Sequence, residues 1–247
     1  MYSTYLIIII LAILSGLTTI IGVVAAFCCR KSSKAVAVGI GFSTGIMLLI
    51  SFFELVPEAL EEVSIIKTIA AVIAGGLMVF LLDLIIPHTH FIKDVKSNDI
   101  KLIKVGYLVA FGLILHDFPE GFAMANSYLS SPSLGLLLAV AIALHNIPEE
   151  FAMTIPMVAK KSKSFLVKLA LISGLAEPAG AIAGIFFVHF FRFLNPYFLA
   201  GAAGAMIFIC GHELFPMAKR YEKTSLFITG IILSVIVYLG LNILLPE

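Results

Sequence analysis

Apolar residues run along this chain for about the thickness of a membrane, then give way to short polar clusters, and the pattern repeats eight times. The runs cover roughly residues 4–27, 35–57, 65–87, 102–126, 134–158, 165–191, 197–218 and 224–245. A helix needs about 20 consecutive apolar residues to cross the hydrocarbon core, and every run meets that length. The pattern predicts an all-α polytopic membrane protein of eight transmembrane helices, with residues 1–247 forming a single transmembrane domain. The first run has no basic region before it and is too long for a signal-peptide core, so it reads as a retained first span.

The basic residues sort by side. Arg30, Lys31 and Lys34 follow the first span; Lys93, Lys96, Lys101 and Lys104 follow the third. Lys160, Lys161, Lys163 and Lys168 follow the fifth, and Lys219, Arg220 and Lys223 follow the seventh. Only Lys67 and Arg192 fall on the other side. The positive-inside rule then turns both termini away from the cytoplasm. A different number of spans would scramble this sorting.

Composition agrees with the pattern: 61% of residues are hydrophobic and 13% charged, and mean hydropathy is +1.11. A soluble domain carries about twice that charged fraction. A net charge of +1, with the basic residues dispersed among loops, offers no nucleic-acid surface. Cys28, Cys29 and Cys210 supply neither a disulfide framework nor a Cys-x-x-Cys metal clip, and read as packing residues.

Two internal repeats stand out. Leu115-His116-Asp117-Phe118-Pro119-Glu120 in span four returns in span five as Leu144-His145-Asn146-Ile147-Pro148-Glu149. Glu54-Leu55-Val56-Pro57 in span two matches Glu213-Leu214-Phe215-Pro216 in span seven, with Gly45/Gly204, Met47/Met206, Ile50/Ile209 and Ala59/Ala218 in the same register. In the predicted orientation each pair runs in opposite directions. This is the inverted-repeat arrangement of secondary transporters, with spans 1–3 and 6–8 arranged around spans 4–5 and a substrate site near the midplane.

Asp117, Glu120, Glu149 and Glu177 lie at membrane depth, where together they oppose insertion by roughly 10–14 kcal/mol. A bound cation or a proton path would offset that. On a helix, His116 and Glu120 share one face, as do His145 and Glu149, and the four can complete a tetrahedral N2O2 site of the zinc type. Asp117 and Asn146 stand one residue on, turned by about 100°. With Glu177 they can form a second site that shares Glu120 and Glu149 as bridges. Pro119 and Pro148 free the carbonyls of Leu115 and Leu144, and kinks there would open room for ions. Glu54 towards one face, and His212 with Glu213 towards the other, read as secondary metal stations or as gates. Glu58, Glu61 and Glu62 form an acidic rim that either concentrates cations or is merely solvated. His88 and His90 either collect metal or are ordinary loop residues. His189 reads as interfacial, and Asn126 is a candidate to line the path.

His145-Asn146-Ile147-Pro148-Glu149, Gly174-Leu175-Ala176-Glu177 and His116-x-Phe118-Pro119-Glu120-Gly121 resemble the motifs of the ZIP (Zrt/Irt-like) metal transporters, in particular their bacterial ZupT-like zinc-uptake branch. The resemblance covers nearly the whole chain. It implies a binuclear centre in which His116, Glu120, His145 and Glu149 hold one metal, while Asp117, Asn146 and Glu177, with the bridging glutamates, hold the other. It also implies a homodimer in a bacterial inner membrane, metal movement towards the cytoplasm, and sliding of spans one, four, five and six against the other four. Two residues depart from the family pattern: Asp117 stands where asparagine is frequent, and Glu150 where glycine usually follows. Glu150 shares a face with Asn146, so it either adds a ligand or crowds the second site. Both changes favour hard, oxygen-seeking ions.

The function expected is transport of a divalent cation, zinc first, with iron(II), manganese, cobalt or cadmium as further passengers. Metal is the cargo, no cofactor is expected, and the chain is not expected to be an enzyme. Competing readings are a proton-linked channel or sensor that binds metal, and an intramembrane zinc hydrolase; the latter lacks a His-Glu-x-x-His motif.

Overall fold

A computed structural model describes residues 2–28, 33–85, 117–158, 161–220 and 223–245. His88, His90 and His116, and the first part of the predicted fourth span, lie outside the described residues. All elements among the described residues are helical: α1 (Tyr2–Cys28), α2 (Ser33–Glu62), α3 (Ile65–Ile85), α4 (described over 117–130), α5 (Pro132–Val158), α6 (Lys163–Phe190), α7 (Arg192–Lys219) and α8 (Thr224–Leu244). Seven of these, all but α4, are long and apolar enough to cross a membrane within the described residues. The chain is an all-α polytopic membrane protein.

Irregular turns fall where the motifs do. In α2 the helix widens to a π turn over Ser51–Leu55, and the Val56 N–H donates to Ser51 O, five residues back. In α7 the same widening spans Cys210–Leu214, with the Phe215 N–H donating to Cys210 O. Each π turn is followed at the same position by a proline, Pro57 or Pro216. A proline ring would clash with the carbonyl four residues back and leave it without a donor; a locally wider turn absorbs that fault without ending the helix. This explains why α2 runs on to Glu62, past the predicted end at residue 57, and leaves Glu54 within the helix instead of at its tip.

The turn before Pro119 in span four lies outside the described residues. Helical geometry continues through Pro148 in α5, which packs so closely on Gly39 that a Cβ there would lie 2.9 Å from the proline ring. The interruption is in α6, at Leu175, between segments Lys163–Gly174 and Ala176–Phe190. Glu177 and Pro178 therefore occupy the first turn of the second segment, while the Leu175 N–H still donates to Leu171 O across the interruption. A proline is tolerated there, and a carboxylate is favoured by the helix dipole.

Apolar residues gain little by leaving lipid for protein, so close backbone approach carries the packing. Glycines mark each crossing: Gly16 on Gly174 between α1 and α6, Gly121 on Glu177 and Gly180 on Phe118 between α4 and α6, Gly41 on Phe227 between α2 and α8, and Gly204 on Val72 between α7 and α3. The pairing is symmetric in kind. α2 packs along α8 as α7 packs along α3, and Gly45 meets the Ser234 side chain and the Ile231 backbone where its counterpart Gly204 meets the Val72 backbone. The register of the span two/seven repeat thus extends to α3 and α8, and sets Asp83 opposite Asn242 in the comparison.

Candidate metal centre

His145 is the best-determined member of the centre. It sits on the buried face of α5, and its ring Nδ1 lies 3.1 Å from Ala141 O, one turn back. With the proton on Nδ1 this contact is a hydrogen bond, and it leaves the Nε2 lone pair for a ligand, as in most metal-binding histidines. Nε2 faces Glu120 Oε1 at 3.1 Å and Glu149 Oε2 at 3.9 Å. The ligand–ligand edge of a zinc tetrahedron with bonds of 2.0–2.1 Å is about 3.3 Å, so these spacings bracket it. Ser43 Oγ donates to His145 O at 2.9 Å and fixes α5 against α2 at this level.

A second group lies beside it. Asn146 Nδ2 donates to Glu177 Oε1 at 2.5 Å, joining α5 to the break in α6. Asp117, Glu120, Glu149, Glu150 and Glu177 are all buried. Among the described residues, Asp117 Oδ2, Glu120 Oε2, Glu150 Oε2 and Glu177 Oε2 have no hydrogen-bond partner. Burying a carboxylate oxygen with no donor is among the most unfavourable arrangements available to a protein, and four in one region call for a cation. Among the described residues no three His, Cys, Asp or Glu side chains already form a cage around one point. The ligands predicted from sequence are thus gathered but not closed, with His116 outside the described residues.

Glu150 is buried beside the second group. Thr154 Oγ1 donates to Glu150 Oε1 at 2.9 Å, and the side chain lines a tight cleft with Thr19, Asp117, Asn146 and Glu149. Of the secondary candidates, Glu54 is buried in the α2 π turn and accepts from Tyr238 Oη at 2.5 Å and from Asn242 Nδ2 at 3.4 Å. Glu213 is buried in the matching turn of α7. Its neighbour His212 stacks on Phe208 and approaches Asp83 at 3.6 Å. Glu58 accepts from Ser130 Oγ, which ties the acidic rim to the end of α4. His189 meets Tyr5 Oη at 3.0 Å, away from the centre. Asn126 donates to Phe122 O within its own helix.

Thr19, Ser43, Asp83, Tyr238 and Asn242 were not picked out in the sequence. The span two/seven register, continued to spans three and eight, would have pointed to Asp83 and Asn242. Nothing in the sequence pairs Thr19 or Tyr238 with its carboxylate. Loss of the Tyr238 hydroxyl leaves a buried carboxylate short of a donor. Tyr238→Phe is therefore expected to destabilise the protein by about 1–3 kcal/mol, read as a lower thermal midpoint in detergent. A cavity of about 760 Å³ between α3, α4, α6 and α7 is lined by apolar side chains and Lys67. It holds no carboxylate and suits lipid tails better than ions.

The profile of the family described as ZIP Zinc transporter matches residues 88–245. The chain belongs to the ZIP family. ZIP relatives match along nearly its full length. The zinc transporter ZupT of Chlorobium luteolum is 38% identical, the match covering 96% of both chains. ZupT of Lysinibacillus sphaericus is 36% identical over 90% of this chain and 91% of its own. ZupT of Streptococcus mutans is also 36% identical, over 92% and 93%. A place in this family sets the hydrolase reading aside.

Proposed function

We propose that this ZIP protein carries divalent metal cations, zinc first, across the membrane towards the cytoplasm, through a centre between α4, α5 and α6. The observation that carries the reading is the His145 ring, oriented by Ala141 O with its Nε2 turned to Glu120 and Glu149. Its relatives' names as zinc transporters favour zinc as the cargo.

In this account His116, Glu120, His145 and Glu149 hold one ion. Asp117, Asn146 and Glu177 hold a second, with Glu120 and Glu149 bridging the two. Passage needs sites that bind firmly enough to strip water and loosely enough to let go. Two ions sharing bridging carboxylates repel each other, which lowers the barrier to release. Glu54 with Tyr238, and Glu213 with His212 and Asp83, act as paired stations towards the two faces. Glycine contacts between α4 and α6 and between α1 and α6 hold these helices together as they slide with α5 against α2, α3, α7 and α8, a motion that breaks the Ser43 bond to His145 O and remakes it on return. Iron(II), manganese, cobalt and cadmium are further passengers. The protein works as a homodimer in a bacterial inner membrane with both termini away from the cytoplasm.

Protons compete with metal for imidazole and carboxylate ligands. Zinc affinity is therefore expected to fall as pH is lowered. Isothermal titration of the purified protein with zinc checks this. The reading itself is tested by zinc uptake into proteoliposomes: saturable uptake, reduced when His145 is replaced by alanine, is the supporting outcome. Uptake indifferent to His145 contradicts it.

A further inference from the structure

The apolar cavity of about 760 Å³ is a groove with α3 and α7 on one side and α4 and α6 on the other. Small residues of α3 such as Ala70 and Ala74 leave the space, and the rings of Phe118, Phe187 and Phe198 border it. Phe118, Phe187 and Met78 are 40%, 41% and 53% exposed, so the groove opens sideways, towards the lipid. Among the described residues, Lys67 is the only charged side chain lining it. α3 and α7 run parallel, with Val72 by Gly204, Phe80 by Phe208 and Asp83 by His212. That register puts Lys67 level with Tyr197 at one end of the groove, while Met78 marks its depth. At 1.5 Å per residue Lys67 and Met78 stand about 16 Å apart along α3, or about half of a hydrocarbon core roughly 30 Å thick. The groove therefore has the depth of one leaflet.

The groove has a counterpart. A second apolar groove, of about 480 Å³, lies between α2, α5 and α8, with Lys34 as its charged lining residue. The register of the two repeats sets Tyr197 against Val38, Ala74 against Leu233 and Pro119 against Pro148, and each of these residues lines its own groove. Lys34 begins α2 and Lys67 begins α3, and a two-residue turn joins those helices, so the two lysines lie towards opposite membrane faces. Recurrence in both halves marks the groove as part of the repeated frame. An empty groove would forfeit dispersion contacts along its walls, and acyl chains are the apolar groups that surround it. A lysine at the mouth adds a preference: its stem follows the apolar wall while its ammonium attracts an anionic headgroup.

We propose that the groove between α3, α4, α6 and α7 is a phospholipid site, which holds one acyl chain against Phe118 and Pro119 and selects an anionic headgroup through Lys67. Pro119 directly precedes Glu120, so the chain lies one residue along α4 from the proposed metal centre. Because the groove divides α4 and α6 from α3 and α7, a chain seated in it stabilises the arrangement of those helices that keeps it open. The site stands whether or not metal passes through the centre.

The test uses the full chain in phosphatidylcholine vesicles doped with phosphatidylglycerol, or with phosphatidylcholine, carrying a photoreactive diazirine on one acyl chain. Labelled residues are mapped by mass spectrometry. The expected label concentrates on α3 between Lys67 and Met78 and on α4 between Phe118 and Phe122, and is stronger from phosphatidylglycerol. Lys67→Gln is expected to cut the phosphatidylglycerol label there about fivefold, the worth of one lysine beside an anionic headgroup, and to leave the phosphatidylcholine label as it was. Ala74→Phe fills the groove from an exposed position and is expected to remove both labels. Lys67 is exposed too, so its variant serves if Ala74→Phe does not fold. Label spread evenly over other exposed residues, such as Leu14 of α1 and Ile236 of α8, overturns the site. A headgroup preference untouched by Lys67→Gln, or a label untouched by Ala74→Phe, overturns it as well. So does a groove that takes no label and is covered by a second copy, seen as a disulfide-linked dimer of Ala74→Cys.

Discussion

Replacing Glu120 and Glu149 together with alanine is expected to bring zinc flux down at least about 100-fold, since even partners outside the ligand shell are worth 10–100-fold in metal affinity. Both glutamates are assigned as bridges, so their loss disarms both ion positions at once and strips His145 of the two carboxylates nearest its Nε2. Misfolding is not the expected cause. A carboxylate at membrane depth opposes insertion by about 2.5–3.5 kcal/mol, and removing two of them relieves that penalty. The double variant should elute as the parent does and unfold at the same temperature or higher, while carrying no zinc. A variant that folds and still transports zinc at the parent rate would place the path elsewhere.

The second large effect is steric. Gly121 of α4 rests on the backbone of Glu177, and a Cβ at that position would collide with the Glu177 carbonyl and Cα. On the same contact, a Cβ at Gly180 would meet Phe118 O and Phe122 N. Gly121→Leu must push α4 away from the break in α6, next to Glu120 on one helix and at Glu177 on the other. The expected result is destabilisation of roughly 1–3 kcal/mol or more, together with loss of zinc flux. Gly201→Ala is the control, because its nearest neighbour, Ala71 O, would lie 3.8 Å from the new Cβ. That variant should keep the parent's thermal midpoint and flux. Equal behaviour of the two would mean that the α4–α6 spacing does not hold the centre together.

Much of this was legible in the residues because membrane burial leaves a coarse signal. Apolar runs of spanning length gave the helices, and carboxylates inside such runs have few explanations other than function. Doubling of the His-x-x-Pro-Glu pattern pointed to α4 and α5, and the Gly-Leu-Ala-Glu run to α6; the structure gathers Asp117, Glu120, His145, Asn146, Glu149 and Glu177 in one buried region. Irregular backbone was harder to read. Pro148 sits inside a continuous helix, where Gly39 makes room for its ring. Leu175 carries no breaking residue, yet the chain turns there, one residue before the segment that holds Glu177. The π turns before Pro57 and Pro216 depend on which carbonyls lose a donor, and hydropathy is blind to that. Contacts between distant helices, such as Tyr238 with Glu54 and Thr19 beside Glu150, leave no mark in either partner's local sequence.

Glu54 and Glu213 occupy equivalent π turns of the repeated frame, with different neighbours: Tyr238 and Asn242 donate to Glu54, while His212, next to Glu213 in the chain, approaches Asp83.

The most direct test is zinc flux into proteoliposomes made with the unaltered protein, followed by an indicator sealed inside, against protein-free vesicles. Saturable zinc accumulation that competes with other divalent cations is the predicted result. Silence for zinc, iron(II) and manganese alike, from protein that still binds metal stoichiometrically, would contradict transport and make this a metal-sensing membrane protein.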